Sequence, residues 1–145
     1  MVLALAFSSA VWVVYFHIGD DQAYQAVWFI FLLNFFWTLL YDTQYAMGDY
    51  ADDQHLPIHS SVKFFKKHTQ AFNAGLMLIL LGFLAGVSAS FANVSYILLS
   101  LTAGLFIWQW MVLDRGKWET HALRVFLSHM YLGMMWTIWL TLQYI

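Results

Sequence analysis

From residue 72 to residue 91 the chain reads FNAGLMLILLGFLAGVSASF, twenty residues without a charged side chain. A helix of about 20 mostly apolar residues spans the hydrocarbon core of a bilayer. Four more stretches meet that test, at 2–19, 23–41, 94–113 and 125–144. Backbone that crosses lipid must pair its own N–H and C=O groups, so runs of this kind are expected to be helices. The fold expected is therefore all-α, an integral membrane helical bundle of about five transmembrane helices forming one transmembrane domain over residues 1–145. Composition agrees, because 10% of the residues are charged and 62% hydrophobic, whereas a soluble domain carries about 25% charged residues. The absence of cysteine excludes a disulfide framework or a thiolate metal site.

The cations set the expected orientation. Lys63, Lys66 and Lys67 lie between the second and third apolar stretches, and Arg115, Lys117 and Arg124 between the fourth and fifth. These are all six Lys and Arg residues of the chain. Alternating helices put both links on one side, which the positive-inside rule makes cytoplasmic. The first stretch offers small residues in AFSSA, but no basic residue precedes its long apolar run, so it is expected to be a span and not a cleaved signal peptide.

Directly after the second stretch comes YDTQYAMGDYADDQHLPIHSS, residues 41–61, with four aspartates and no lysine or arginine. On a helix continued past Tyr41, Asp42, Asp49 and Asp53 fall within about 40° of one another, with Asp52 about 60° further round and Tyr45 inside the same arc. Gly48 sits in this stripe and is a place for a bend, and Pro57 ends the helix. Scattered acids are usually a solvated loop or helix caps. Like charges four residues apart repel, however, and carboxylates beside a membrane span are costly. Clustered without counter-ions, they are expected to bind a cation. Hard oxygen donors favour Mg²⁺, Ca²⁺ or Mn²⁺. The D-x-x-x-D spacing of Asp49 and Asp53 suits Mg²⁺, which takes one or two carboxylates and shares the rest of its shell with water and phosphate.

The stretch YDTQYAMGDYADD closely resembles the second aspartate-rich motif of the UbiA-type membrane prenyltransferases, above all the branch acting on 4-hydroxybenzoate in ubiquinone synthesis. LAFSSAVW and NFFWTLLYDTQYAM extend the likeness, and the later helices match in length and spacing, so that it covers nearly the whole chain. The resemblance implies half of a nine-helix bundle around a central cavity, the C-terminal half. In that family two aspartate-rich motifs hold Mg²⁺, which holds the diphosphate of a polyprenyl donor. The allylic C–O bond ionises and an electron-rich ring such as 4-hydroxybenzoate captures the cation. By this likeness Asp49 and Asp53 are the metal ligands and catalytic residues, and Asp42 and Tyr45 line the diphosphate pocket, with Lys63, or Lys66 or Lys67, expected to substitute there for the family's lysine. A bacterial inner membrane is the expected location, with the acids on the cytoplasmic side.

The chain departs from the family pattern in two ways. The first aspartate-rich motif is absent, and Pro57 and His59 stand where the family commonly has Gly and Lys. The fragment is therefore expected to be inactive alone, or to work with an N-terminal half or a second copy that supplies the opposing carboxylates. Two further readings are a histidine-box oxidase built on His55, His59, His68, His121 and His129, and a membrane binding module without catalysis. Pro57 between His55 and His59 spoils the helical spacing that the first of these needs. No basic tract of the nucleic-acid-binding type is present.

Overall fold

The computed structural model describes residues 2–18, 24–57, 59–89, 94–113 and 118–142. They form α1 (Val2–Ile18), α2 (Tyr24–Gly48), α3 (Tyr50–Asp53), α4 (Ser61–Phe65), a 3-10 turn (Lys66–His68), α5 (Thr69–Ala89), α6 (Val94–Leu113) and α7 (Trp118–Leu142). No strand occurs among the described residues. By length and hydropathy, Tyr24–Gly48, Ser61–Gly86 and Ser95–Leu113 can cross a membrane, and Val2–His17 is a shorter apolar helix. The fifth long helix, α7, starts seven residues before the expected position 125 because its first two turns, WETHALR, are helical but polar. Charge hides those turns from an apolar-run argument.

Helix α2 is the centre of the bundle. It packs along α1, α5 and α7, while α6 bridges α5 and α7, so that α2, α5, α6 and α7 close a ring. The ring is filled by Leu39, Leu40, Leu76, Leu80, Leu84, Phe106, Trp136 and Trp139, all buried. Trp12 of α1 meets Trp28 of α2 edge to face at 4.7 Å, and Phe29 of α2 meets Phe83 of α5 at 5.0 Å. Trp136 Nε1 donates to Thr102 Oγ1 at 2.9 Å, and the same hydroxyl donates to Leu98 O at 2.8 Å. One buried hydroxyl thus serves both α6 and α7. Ser88 and Ser95 exchange hydroxyl-to-carbonyl bonds of 3.3 and 3.1 Å, clasping the end of α5 to the start of α6.

A second apolar cluster closes the opposite end of the ring. Met47, Val62, Leu113, Ala122 and Val125 meet there, joining the last turn of α2, α4, the last turn of α6 and the first turns of α7. The same cluster gathers the basic links at one end. Lys63 lies on α4, and the Arg124 guanidinium sits 5.6 Å from the centre of the Trp108 ring. Arg115 and Lys117 lie outside the described residues.

Candidate functional site: an acidic turn above an apolar cavity

Helix α2 runs on past Tyr41 through Gly48, bends at Asp49, and resumes as the single turn α3. The Asp49 backbone has φ −89° and ψ 3°, outside the helical basin, which produces the bend. A Cβ on Gly48 would stand 3.3 Å from Ala122 Cβ, so the helix ends at a close approach of α2 to α7. Asp53 N donates to Asp49 O at 2.9 Å, which holds the two aspartates one turn apart. After α3 the chain leaves helical geometry through Leu56 and Pro57, as a proline demands. It restarts at Ser60, whose hydroxyl accepts from Lys63 N at 3.3 Å and caps α4.

Asp49 stands at the N-cap position of α3, yet its carboxylate makes no cap hydrogen bond. The Tyr45 hydroxyl, one turn back on α2, lies close to it, and Asp53 is near enough to act electrostatically on that hydroxyl. Tyr45, Asp49 and Asp53 are therefore brought together, as the helical arc requires. Asp42 is half-buried one turn earlier on α2, and Asp52 is exposed. Lys63 Nζ donates to Leu56 O at 2.8 Å and straps the loop that carries Pro57.

The expected Mg²⁺ site can be tested against this donor set. Among the described residues no three His, Asp or Glu side chains converge as a closed metal site. Two carboxylates one turn apart, with a phenol close to one of them, form an open, all-oxygen pair. That suits an ion which keeps most of its shell for water and phosphate, so Asp49 and Asp53 fit Mg²⁺ as partial ligands.

The histidine-box arrangement is not formed among the described residues. His55 and His59 flank a non-helical loop, His55, His59 and His68 are exposed, and His129 is buried within α7. His129 belongs instead to a polar chain across three helices, whose direction can be worked out. Ser128 Oγ donates to Val125 O at 2.6 Å. That commits its one proton, so at 2.8 Å it accepts from Gln109 Nε2. Gln109 Oε1 then faces Gln44 Nε2, which donates to it at 3.2 Å. Gln44 Oε1 in turn accepts from His129 Nε2 at 2.6 Å. Gln109 Nε2 also approaches that nitrogen, at 3.4 Å, but the 2.6 Å contact with Gln44 Oε1 is the stronger, so a neutral ring carries its proton on Nε2 and a lone pair on Nδ1. Nδ1 is buried and has no hydrogen-bond partner, a state that costs about 1–3 kcal/mol for an ordinary polar group.

Between α2 and α7 lies a cavity of about 640 Å³, lined by Leu33, Trp37, Tyr41, Phe126, His129 and Trp136 among others. Tyr41 and Tyr45, one turn apart on α2, pack their rings against Phe126 at 5.9 and 5.3 Å. The cavity wall at Tyr41 thus continues through Phe126 and Tyr45 to Asp49. The cavity and the buried polar chain were not visible in the sequence. Their one signal was the presence of lone amides, Gln44 and Gln109, within or at the end of apolar stretches, where polar residues are expensive.

Three curated relatives align with most of the chain. All are named 4-hydroxybenzoate octaprenyltransferase. The protein of Vibrio atlanticus is 32% identical over 149 aligned residues, covering 99% of this chain and 51% of the relative. That of Providencia stuartii is 36% identical over 121 residues, covering 81% and 41%, and that of Vibrio parahaemolyticus 34% identical over 120 residues, covering 81% and 42%. These likenesses support a fragment of a UbiA-type membrane prenyltransferase. It spans about half the length of the curated relatives it matches. No protein-family model and no solved structure matches it. Three helices long and apolar enough to cross a membrane, together with these relatives, support an integral membrane protein. Its sequence holds one D-x-x-x-D pair, Asp49 and Asp53.

Proposed function

We propose that these 145 residues form one transmembrane domain, the C-terminal half of a polyprenyltransferase. In this reading the whole enzyme transfers a polyprenyl group from its diphosphate to 4-hydroxybenzoate in ubiquinone synthesis. The observation that carries it is the join between two unlike environments. An apolar cavity and a carboxylate pair share α2, and the rings of Tyr41, Phe126 and Tyr45 link them. A polyprenyl diphosphate has that same polarity, a long apolar tail behind a charged head.

Asp49 and Asp53 hold Mg²⁺, and Asp42 and Lys63 complete the diphosphate pocket around Tyr45. When bound, Mg²⁺ neutralises charge on the leaving diphosphate. Tyr45 holds the Asp49 carboxylate in one orientation. The cavity takes the donor chain and excludes water from the allylic carbon as its C–O bond breaks, and aromatic faces there stabilise the cation. The ring carbon of the acceptor then forms the new C–C bond and loses its proton. The opposing carboxylates come from an N-terminal half or a second copy. The acids face the cytoplasm of a bacterial inner membrane.

The test is to purify the chain in detergent and assay Mg²⁺-dependent prenylation of 4-hydroxybenzoate, with and without an N-terminal half from a curated relative. Product is expected only from the pair, and Asp49→Ala or Asp53→Ala abolishes it. No product under either condition removes the two-half reading. Magnesium-dependent diphosphate binding that survives the double variant removes the two aspartates as ligands.

A further inference from the structure

Helix α5 has 21 residues and a length of about 31 Å, enough by itself to fill the hydrocarbon core of a bilayer. The α4 helix and the 3-10 turn before it, SVKFFKKH, therefore lie just outside that core, at the depth of the lipid headgroups. The two phenylalanines there have opposite surroundings. Phe65 stacks on Phe72 of α5 with ring centres 4.0 Å apart, whereas Phe64 is 81% exposed. Lys66 and Lys67 are also exposed, and neither ammonium meets a carboxylate among the described residues. Lys63 differs, since its Nζ donates to Leu56 O at 2.8 Å and ties that exposed leucine to α4. The backbone adds an independent sign. Lys66 has φ 49° and ψ −120°, a region that glycine enters readily and other residues rarely. Thr69 Oγ1 supports the turn by donating to Lys66 O at 2.7 Å. A lysine kept where glycine would be easier points to a use for its side chain.

We propose that SVKFFKKH is a seat for anionic lipid, with the Phe64 ring at the boundary of headgroups and acyl chains and the Lys66 and Lys67 ammonium groups on headgroup phosphates. An exposed apolar ring beside exposed cations is the pattern of a segment that lies in the membrane interface. The long lysine stems let the charges reach the phosphates while the ring stays lower. A soluble anion would satisfy the lysines and leave Phe64 in water, so the bilayer is the partner that accounts for both. A zwitterionic headgroup brings its own cation to compete with the lysines, and an anionic headgroup does not. Each lysine near an anionic surface is worth about fivefold in association. Salt screens that attraction, because the groups are exposed. The inference needs α5 to cross a bilayer and does not depend on prenyl transfer.

The chain has no cysteine, so Phe64→Cys gives a unique attachment point for a bimane, whose ring stands in for the phenyl group. The full chain is reconstituted in vesicles of phosphatidylcholine and phosphatidylglycerol, one of which carries a nitroxide quencher near the top of an acyl chain. Both lipids are expected to quench, and phosphatidylglycerol more strongly at low salt. Lys66→Gln or Lys67→Gln is expected to lower that preference about fivefold, and about 0.5 M salt to remove most of it. Lys66→Gly suits the local backbone and is expected to lose the preference equally, which separates the lost charge from a folding defect. No quenching by either lipid places position 64 in water, and equal quenching by both at low salt removes the headgroup preference. Either result overturns the proposal. Inorganic diphosphate is then added at constant magnesium and ionic strength. A preference that survives supports the lipid seat. One that disappears assigns the two lysines to the diphosphate pocket and overturns it.

Discussion

Gly48 lies so close to Ala122 that a Cβ added at Gly48 would stand 3.3 Å from the Ala122 Cβ. This contact is the hinge point between the apolar part of α2 and the acidic turn beyond it. Ala122 is fully buried and belongs to the end cluster with Met47, Val62, Leu113 and Val125. Neither partner can move aside without shifting a helix.

Enlarging Gly48 should therefore be destabilising. Gly48→Val is expected to lower stability by about 1–3 kcal/mol, the usual cost of forcing extra methyl groups into a packed contact. Pairing it with Ala122→Gly should return at least half of that loss. Thermal unfolding of the detergent-solubilised chain measures both. A Gly48→Val protein as stable as the parent would mean that the contact is not tight.

Tyr45 tests whether Asp49 is oriented by its hydroxyl. Tyr45→Phe keeps the ring against Phe126 and removes the hydroxyl close to the carboxylate. Titration calorimetry with Mg²⁺ and diphosphate should then show affinity reduced about three- to tenfold, as expected for one exposed hydrogen bond of roughly 1 kcal/mol. The apolar cavity should be unaffected, since Tyr41 and Phe126 remain.

The polar chain predicts a coupled pair. Gln44→Leu and Gln109→Leu should each cost about 1–3 kcal/mol, because each strands buried partners. The double variant should cost less than the sum, with a coupling of about 0.6 kcal/mol and at most about 1.7, the range found for polar contacts between membrane helices. Equilibrium unfolding in mixed detergent gives all four corners of the cycle. Strict additivity would show that Gln44 and Gln109 do not bond.

Much of the bundle was legible because lipid and backbone leave few choices. The apolar stretch at 94–113 is α6 to the residue, and α1 fills 2–18 of the stretch at 2–19, whose last position lies outside the described residues. The bend in α2 and the joining of Tyr45, Asp49 and Asp53 came from helical geometry and a single glycine. The start of α5 at Thr69, ahead of the expected 72, was not foreseen. Lys66 there takes a positive φ of 49°, which separates the short α4 from the long α5, and nothing in FFKKH announces it. The start of α7 was hidden because polarity was mistaken for a link. The buried chain was hidden for a different reason. Its members Gln44, Gln109, Ser128 and His129 are up to 85 positions apart, and only packing makes them neighbours.

The order of that chain begins at a serine. With its proton committed to Val125 O, Ser128 can only receive from Gln109, and every bond beyond inherits the direction. Replace the hydroxyl by hydrogen, as in Ser128→Ala, and both amides are free to turn over together. The imidazole would then carry its proton on Nδ1, and the bundle would bury an unpaired donor where it had buried an unpaired acceptor. The tautomer of the buried ring is thus decided by an oxygen to which the ring itself makes no hydrogen bond.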